Sequence, residues 1–419
     1  MREMKDSGIE WVGQIPKDWD VVPHKRVMHK VKKICEQYSG EDIISLTMNG
    51  VIKRDLTAGG KMPTSFDGYQ YVKPNDLLLC LFDIDVTPRC VGVVKDYGVT
   101  SPAYSRFVMH DGYYNAYYDY LLRAIDDDKV FVHLSKNLRS SLTESDFGAI
   151  KTCVPSLAEQ KRIVTFLDAQ CAEIDAVLEK TRASIEEYKK LKQAVITQAV
   201  TKGIRGDRPM KNSGSVWFEE IPCNWVMKRI KYLFHIKKDI AGKEGYTVLS
   251  ITQRGIQPKD LSKNEGQIAA NYSQYQLLAP GDFAMNHMDL LTGWVDISKY
   301  SGVTSPDYRV FVLDDTEKND SSYYLYLMQM CYFNRIFYGL GQGVSGMGRW
   351  RLQADKFLNF PVVVPPVDEQ KEIASYLNEK CSCIEVMIAK KQQYLTEIET
   401  YKKSLIYEYV TGKKEVHPL

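Results

Sequence analysis

The stretch VPSLAEQKRIVTFLD, from Val154 to Asp168, returns as VPPVDEQKEIASYLN from Val364 to Asn378. Upstream of each copy, MKDSGIEWVGQIPKDW, from Met4 to Trp19, returns as MKNSGSVWFEEIPCNW from Met210 to Trp225. Each half thus opens on a Trp/Ile-Pro/Trp segment, runs through a variable body, and leaves by a VP...EQ sequence. The spacing of about 210 residues is far too long for a solenoid, and two copies are too few for one, so the chain reads as a duplicated unit of domain plus helix.

Past each VP...EQ the pattern is helical. Leu167, Cys171, Ile174, Leu178, Ile185, Tyr188, Leu191, Val195 and Ile196 fall at heptad-like spacing, and Leu377, Cys381, Ile384, Ile388, Leu395, Ile398, Tyr401, Leu405 and Ile406 repeat the phase. Even the polar interruption recurs, as Thr181 and Lys391. The pattern predicts one helix from Leu157 to about Lys202 and a second starting near Val367. A helix of roughly 45 residues spans about 65 Å, too long to lie on one small domain, so each stripe needs a partner of similar length. The other copy is the natural one. Because each helix leaves its body at an equivalent point, antiparallel pairing is expected, with the bodies at opposite ends of a rod.

The bodies, about 20–153 and 226–363, read as mixed short strands and helices. Asp76 to Phe82 and Phe360 to Val364 are strand-like; Tyr117 to Ile125 and Tyr323 to Phe337 are aromatic helical stretches. Fainter echoes join them: Ser45-Leu-Thr-Met-Asn-Gly-Val with Ser250-Ile-Thr-Gln-Arg-Gly-Ile, Lys73-Pro-Asn-Asp with Ala279-Pro-Gly-Asp, and Thr100-Ser-Pro-Ala-Tyr with Thr304-Ser-Pro-Asp-Tyr. A repeated frame with diverged loops suits one scaffold reading two different things.

Composition sets wider bounds. With 419 residues, 44% hydrophobic and 11% aromatic, the chain has material for two or three globular domains and is not disordered in character. It contains no run of about 20 uncharged apolar residues, and MREMKDSGIE lacks a signal peptide's apolar core, so no membrane association and a cytoplasmic location are expected. The nine cysteines form no CxxC pair and have no histidine at metal-ligand spacing, so they read as reduced thiols, mostly in the core, and no metal is expected. Net charge is only +2, which leaves local clusters to decide the partner.

Catalytic signatures are missing. The sequence has no G-x-x-x-x-G-K-[ST], no H-E-x-x-H, and no N-P-P-Y or D-P-P-Y of the kind amino-methyltransferases use on a flipped base. The glycine-rich run from Tyr338 to Gly348 contains a formal G-x-G-x-x-G, but it comes after an aromatic helix rather than a strand and so does not suit a dinucleotide. Ending in Arg349-Trp-Arg351, it suits close approach to a phosphate or base edge. Basic groups gather where each body begins: His24, Lys25, Arg26, Lys30, Lys32 and Lys33 in one half, and Lys228, Arg229, Lys231, Lys237 and Lys238 in the other. From these, Lys25, Arg26, Lys228 and Arg229 are candidate phosphate contacts. Loop residues of base-reading chemistry are Asn49, Lys53, Arg54 and Arg89 in the first body, and Gln253, Arg254, Asn286, His287, Arg349 and Arg351 in the second.

The doubled M-K-x-S-G-x-x-W-x-x-x-I-P-x-x-W and VP...EQ..I motifs, with the helix ending Ala199-Val-Thr-Lys-Gly203 echoed at Tyr409-Val-Thr-Gly-Lys413, resemble the specificity subunit of type I restriction-modification systems. The likeness runs over essentially the whole chain. It implies an α/β (α+β) chain with two similar globular target-recognition domains separated by a pair of long antiparallel coiled-coil helices, in a pseudo-two-fold repeat. The expected boundaries are 1–155 for the first domain, 156–203 for the central helix, 204–365 for the second domain and 366–419 for the C-terminal helix. The resemblance further implies a non-catalytic subunit that reads a bipartite, asymmetric site on double-stranded DNA. Two methyltransferase subunits would dock on the helices, and two restriction/translocase subunits would join them. No cofactor of its own is expected, since in that family the partner binds S-adenosylmethionine. Two rivals stand beside this reading: a related system whose partner is one fused methyltransferase-endonuclease, and a coiled-coil scaffold holding two protein-binding domains.

Overall fold

A computed structural model describes residues 2–48, 50–57, 63–87, 90–135, 140–262, 269, 271–343 and 350–416. Two compact units emerge, Met1–Arg182 with Gln393–Leu419, and Ala183–Gln392. Both long helices form, over Leu157–Lys202 and Val367–Val410, and each passes from one unit to the other near its middle.

In the first unit the opening segment folds as a hairpin, Met4–Asp6 against Gln14–Pro16. The next strand, Asp20–Pro23, pairs antiparallel with Lys151–Val154, so the body closes where it opened. Between them a four-stranded antiparallel sheet runs in the order Met28–Lys30, Ser105–Met109, Leu77–Leu79, Val91–Val93. Its Leu77-Leu-Leu79 strand is buried on both faces, which is why it reads as an unbroken apolar run rather than an alternation. A hairpin of Ile44–Thr47 and Gly50–Lys53, a pair of Gln70–Val72 with Gly98–Thr100, and the tyrosine-rich helix Asn115–Asp127 complete the body.

The second unit repeats these parts. Met210–Asn212 pairs with Glu220–Pro222, and Val226–Arg229 pairs with Pro361–Val364. The sheet order is Phe234–Lys237, Arg309–Leu313, Phe283–Met285, Val295–Ile297. The hairpin is Leu249–Thr252 with Gly255–Pro258, the extra pair Gln276–Leu278 with Gly302–Thr304, and the aromatic helix Ser321–Phe333.

The repeated motifs tie each body to helix. Gln160 accepts from the Tyr114 amide at 2.8 Å and donates to the Pro155 carbonyl at 2.9 Å; Gln370 accepts from the Asp320 amide at 2.8 Å and donates to Pro365 at 2.9 Å. Glu159 takes hydrogen bonds from Arg2 and from the Trp19 indole nitrogen, while Glu369 takes them from Arg208 and Asn224. Tyr117 donates to the Val410 carbonyl at 2.8 Å, and Tyr323 to those of Val200 and Val363, both at 3.2 Å, so each body grips the end of a long helix. Beyond those ends Gly203 and Gly412 adopt φ of +81° and +71°, and a Cβ on either would crowd a buried tryptophan, Trp225 or Trp19.

Within each unit the two helix segments run antiparallel. Lys402 pairs with Asp175 at 2.6 Å and Arg182 with Glu399 at 2.6 Å in the first unit; Lys192 pairs with Glu385 and Arg205 with Glu372 in the second. The expected apolar seam is corrected at two equivalent places. Leu191 and Tyr401 are 48% and 55% exposed, and the seam passes instead along the stems of Lys192 and Lys402. At 3.6 residues per turn the seam slips by one position relative to a strict heptad, and a lysine can cover it while its ammonium meets the facing carboxylate. All nine cysteines are free, with only Cys223 and Cys383 exposed. Among the described residues no helix is long and apolar enough to cross a membrane.

Candidate nucleic-acid interface

The predicted contact residues fall in two places in each body. Lys25 and Arg26 lie exposed on the 3-10 turn His24–Arg26, between the strands Asp20–Pro23 and Met28–Lys30. Lys228 and Arg229 end the strand Val226–Arg229, with Arg229 donating to Asn359 at 3.4 Å. Lys228 lines a cleft with Asp314, Asp315 and Lys318, so carboxylates share its surroundings.

Two members of the basic runs belong to the interior instead. Lys237 pairs with Asp282 at 2.7 Å. His24 is fully buried, stacked on Phe147 at 4.6 Å, with Nδ1 donating to the Phe147 carbonyl at 3.3 Å. Burial lowers its pKa from 6.5 to about 4, only partly opposed by that carbonyl, so it is a neutral core group. Because the unfolded chain takes up the proton first, this contribution is whole above pH 6.5 and drains away as pH falls towards 4, by about 3 kcal/mol. Urea unfolding of the chain at pH 7 and pH 4 should show a steeper acid loss for wild type than for His24→Leu; equal losses would contradict the assignment.

The second group sits on hairpins and loops. Lys53 pairs with Asp42 at 2.6 Å, which holds the lysine firmly charged, and Arg54 lines a cleft with Ser45, Tyr69, Ser101 and Tyr104. Asn49 and Arg89 lie outside the described residues, as do Arg349 and positions 344–348 of the glycine-rich run.

In the second body the structure brings most candidates together. Gln253, at the turn of the Leu249–Thr252/Gly255–Pro258 hairpin beside exposed Arg254, donates to the Thr292 carbonyl at 3.3 Å. Thr292 belongs to the loop that carries Asn286 and His287. Asn286 spends its side-chain oxygen on the amides of Met288 and Asp289, both at 3.2 Å, and so shapes the loop. His287 accepts the Leu352 amide on its carbonyl at 2.9 Å, which draws the Arg351 segment alongside. Its imidazole is pushed down to about 3, first by burial and then by the charges of Arg309 and Arg351, and is therefore neutral.

Arg309 escaped the sequence reading. It lies in the apolar run Arg309–Leu313, only 6% exposed, with its guanidinium over the Phe357 ring at 4.9 Å and donating to the Leu352 carbonyl at 2.8 Å. Burial lowers its pKa to about 10. The available signal was an arginine on a core strand where strand register puts Ser105 in the first body. Below the Gln253 turn a cleft of about 440 Å³ is lined by Trp294, Tyr332 and Arg335 together with Lys189, Lys192 and Glu385 of the long helices.

Comparison with known proteins points the same way. Residues 222–397 match the family described as the type I restriction modification DNA specificity domain. The MjaVIII type I restriction enzyme specificity subunit of Methanocaldococcus jannaschii is 23% identical over 292 residues, covering 65% of this chain and 64% of its own length. The putative MjaX type I restriction enzyme specificity subunit of the same organism is 22% identical, covering 97% of this chain and 96% of its own. A chain from a structure on complex assembly and conformational transition of the type I R-M system shares the fold, with a TM-score of 0.68 at 12% identity over 96% of this chain and 99% of that one. Duplicated bodies, each bound to a stretch of antiparallel helix pair, are the architecture this chain shares with that structure. The chain is similar over nearly its whole length to type I restriction enzyme specificity subunits, and its second body with the adjoining part of the C-terminal helix matches the type I restriction modification DNA specificity domain.

Proposed function

We propose that this chain reads a split, asymmetric site on double-stranded DNA, one half with each body, and that its long helices dock two methyltransferase subunits to which two restriction/translocase subunits add. The observation that carries this reading is the element-by-element repetition of the frame beside loops that differ. The turn holding Gln253 and Arg254 and the segment holding Asn286 and His287 have no side-chain counterpart in the first body. Two copies of one scaffold with unlike loops suit two unlike half-sites. Mapping methylated adenines in cells that express the chain with its methyltransferase should reveal one bipartite motif. A continuous motif, or none, would sink the proposal, and the genes beside this one distinguish a separate methyltransferase from a fused methyltransferase-endonuclease.

The chain itself is proposed to be non-catalytic, because it lacks both a methyltransferase tetrapeptide and a phosphate-binding loop. Purified free of partners and given S-adenosylmethionine with DNA bearing the mapped site, it should transfer no methyl group. Transfer above background would overturn that assignment.

A further inference from the structure

The residues that line the Arg54 cleft of the first body have counterparts of the same chemistry at the same register positions in the second. Arg54 donates its amide to the Ile43 carbonyl at 2.7 Å, and Lys259 donates its own to Val248 at 2.8 Å. Behind them Gln70 donates to the carbonyls of Ser101 and Tyr104, and Gln276 to those of Ser305 and Tyr308. Thr100 donates to the Ile44 carbonyl at 2.7 Å and Thr304 to Leu249 at 3.1 Å, which sets Ser45 and Ser250 at matching places. Tyr69 packs edge-on against Phe66 at 5.2 Å, as Tyr275 does against Tyr272 at 5.0 Å. Each body therefore presents a cation, two tyrosines and two serines, all half-buried, around a cleft of about 400 Å³ in the first.

The repetition extends past the cation. Arg54-Asp-Leu-Thr57 answers Lys259-Asp-Leu-Ser262, and in both the aspartate is engaged locally: Asp55 accepts from the Thr57 amide and hydroxyl at 2.8 and 2.7 Å, Asp260 from those of Ser262 at 3.0 and 2.7 Å. Each turn thereby fixes the strand end from which the cation projects. Burial raises the pKa of both Tyr104 and Tyr275, and Arg54 lies close enough to Tyr104 to oppose the shift, so the tyrosines stay protonated donors.

Two bodies that read different half-sites have little in common to bind except the backbone those half-sites share. We infer that this repeated niche holds a phosphate of duplex DNA in each body, with Arg54 and Lys259 supplying the charge and the flanking serine and tyrosine hydroxyls supplying hydrogen bonds. The inference rests on the proposed function. It reassigns Arg54 from base reading to sequence-independent anchoring, and it adds Lys259, Tyr69, Tyr104, Tyr275 and Tyr308 as contacts. The two niches are not equal. Asp307 stands where the first body has Ala103, and its charge reaches Tyr275, so the second niche should hold phosphate less tightly.

The test uses the chain assembled with its co-expressed methyltransferase, titrated with a duplex carrying the mapped site and with an unrelated duplex over a range of salt. Arg54→Gln should weaken both by the same factor, roughly tenfold, and lower the slope of log affinity against log salt by about 0.9. Lys259→Gln should act in the same sense but less strongly, and Arg54→Lys should restore most of the loss, showing that the fold survives. A loss confined to the mapped duplex would make Arg54 a base reader and overturn the inference. So would unchanged affinity and slope in both glutamine variants, or failure to assemble with the methyltransferase, which would mark the niche as a protein-docking surface. A wild-type complex that does not distinguish the two duplexes would instead overturn the proposed function itself.

Discussion

A chimera carrying another specificity subunit's body between Val226 and Val364 is expected to direct methylation to sites in which one half has changed and the other has not. Strand pairing dictates the junctions. Val226 lies opposite Val364 and Arg229 opposite Pro361, so a graft ending at Pro361 would leave a foreign strand to pair with a native one, whereas one ending at Val364 carries the pair intact. The motif residues Arg208, Asn224 and Trp225 stay outside the graft and keep their contacts with Glu369 and with Gly203. The graft must, however, supply a tyrosine at the position of Tyr323, whose hydroxyl reaches Val200 and Val363. Mapping methylated adenines in a host that expresses the chimera with its methyltransferase reads the result. Loss of both half-specificities by a chimera that still binds its partner would refute independent reading.

Lengthening both long helices by one heptad is expected to move the preferred spacer between half-sites and leave the half-sites unchanged. Seven residues add roughly 10 Å of helix at 1.5 Å per residue, which corresponds to about three base pairs at 3.4 Å each. Insertions after Thr181 and after Lys391 each fall within one residue of the point where a helix passes between units. They therefore spare Lys402–Asp175 and Lys192–Glu385 and, among these helix-to-helix ion pairs, disturb Arg182–Glu399, an exposed bridge worth under about 1 kcal/mol. Three base pairs also turn the duplex by roughly a third of its helical turn, which broadens the optimum. Methylation across a library of spacer lengths gives the answer. An assembled variant that keeps the original spacer would show that something other than these helices sets the distance.

The frame was legible because it was written twice. Helix bounds and strand runs came from periodicity, and repetition marked the Ser-Leu-Thr/Ser-Ile-Thr segments as equivalent, though only the structure shows that they fold as hairpins. The roles of those repeated residues were not legible. Nothing local to Gln160 points to the Tyr114 amide, 46 positions away, nor does anything near Tyr117 point to the Val410 carbonyl. His24 read as a member of a basic run because charge is counted along the chain, whereas its protonation is decided by burial against Phe147. Arg309 hid for the opposite reason, since its strand reads as core and only the fold shows a guanidinium lying across Phe357. Among the candidate contacts, side-chain chemistry alone could not show that Gln253 reaches the Thr292 carbonyl or that the amide oxygen of Asn286 is occupied by its own loop.

The buried acid of each body bears on how such chains can evolve. Asp76 is neutralised by Arg106, on the central strand Ser105–Met109, at 2.6 Å. Asp282, its counterpart, is neutralised by Lys237 on the neighbouring strand Phe234–Lys237, while the position matching Arg106 is Val310. The same requirement is thus met from different strands in the two copies. A crossover inside a body would bring together one strand from each solution, leaving the acid with two cations or with none, at a cost of about 3–5 kcal/mol. A crossover in the long helices, or in the strand pair that closes a body, meets no such penalty. New specificities should therefore arise by inheritance of whole bodies, with recombination breakpoints purged from the sheet and tolerated at its borders.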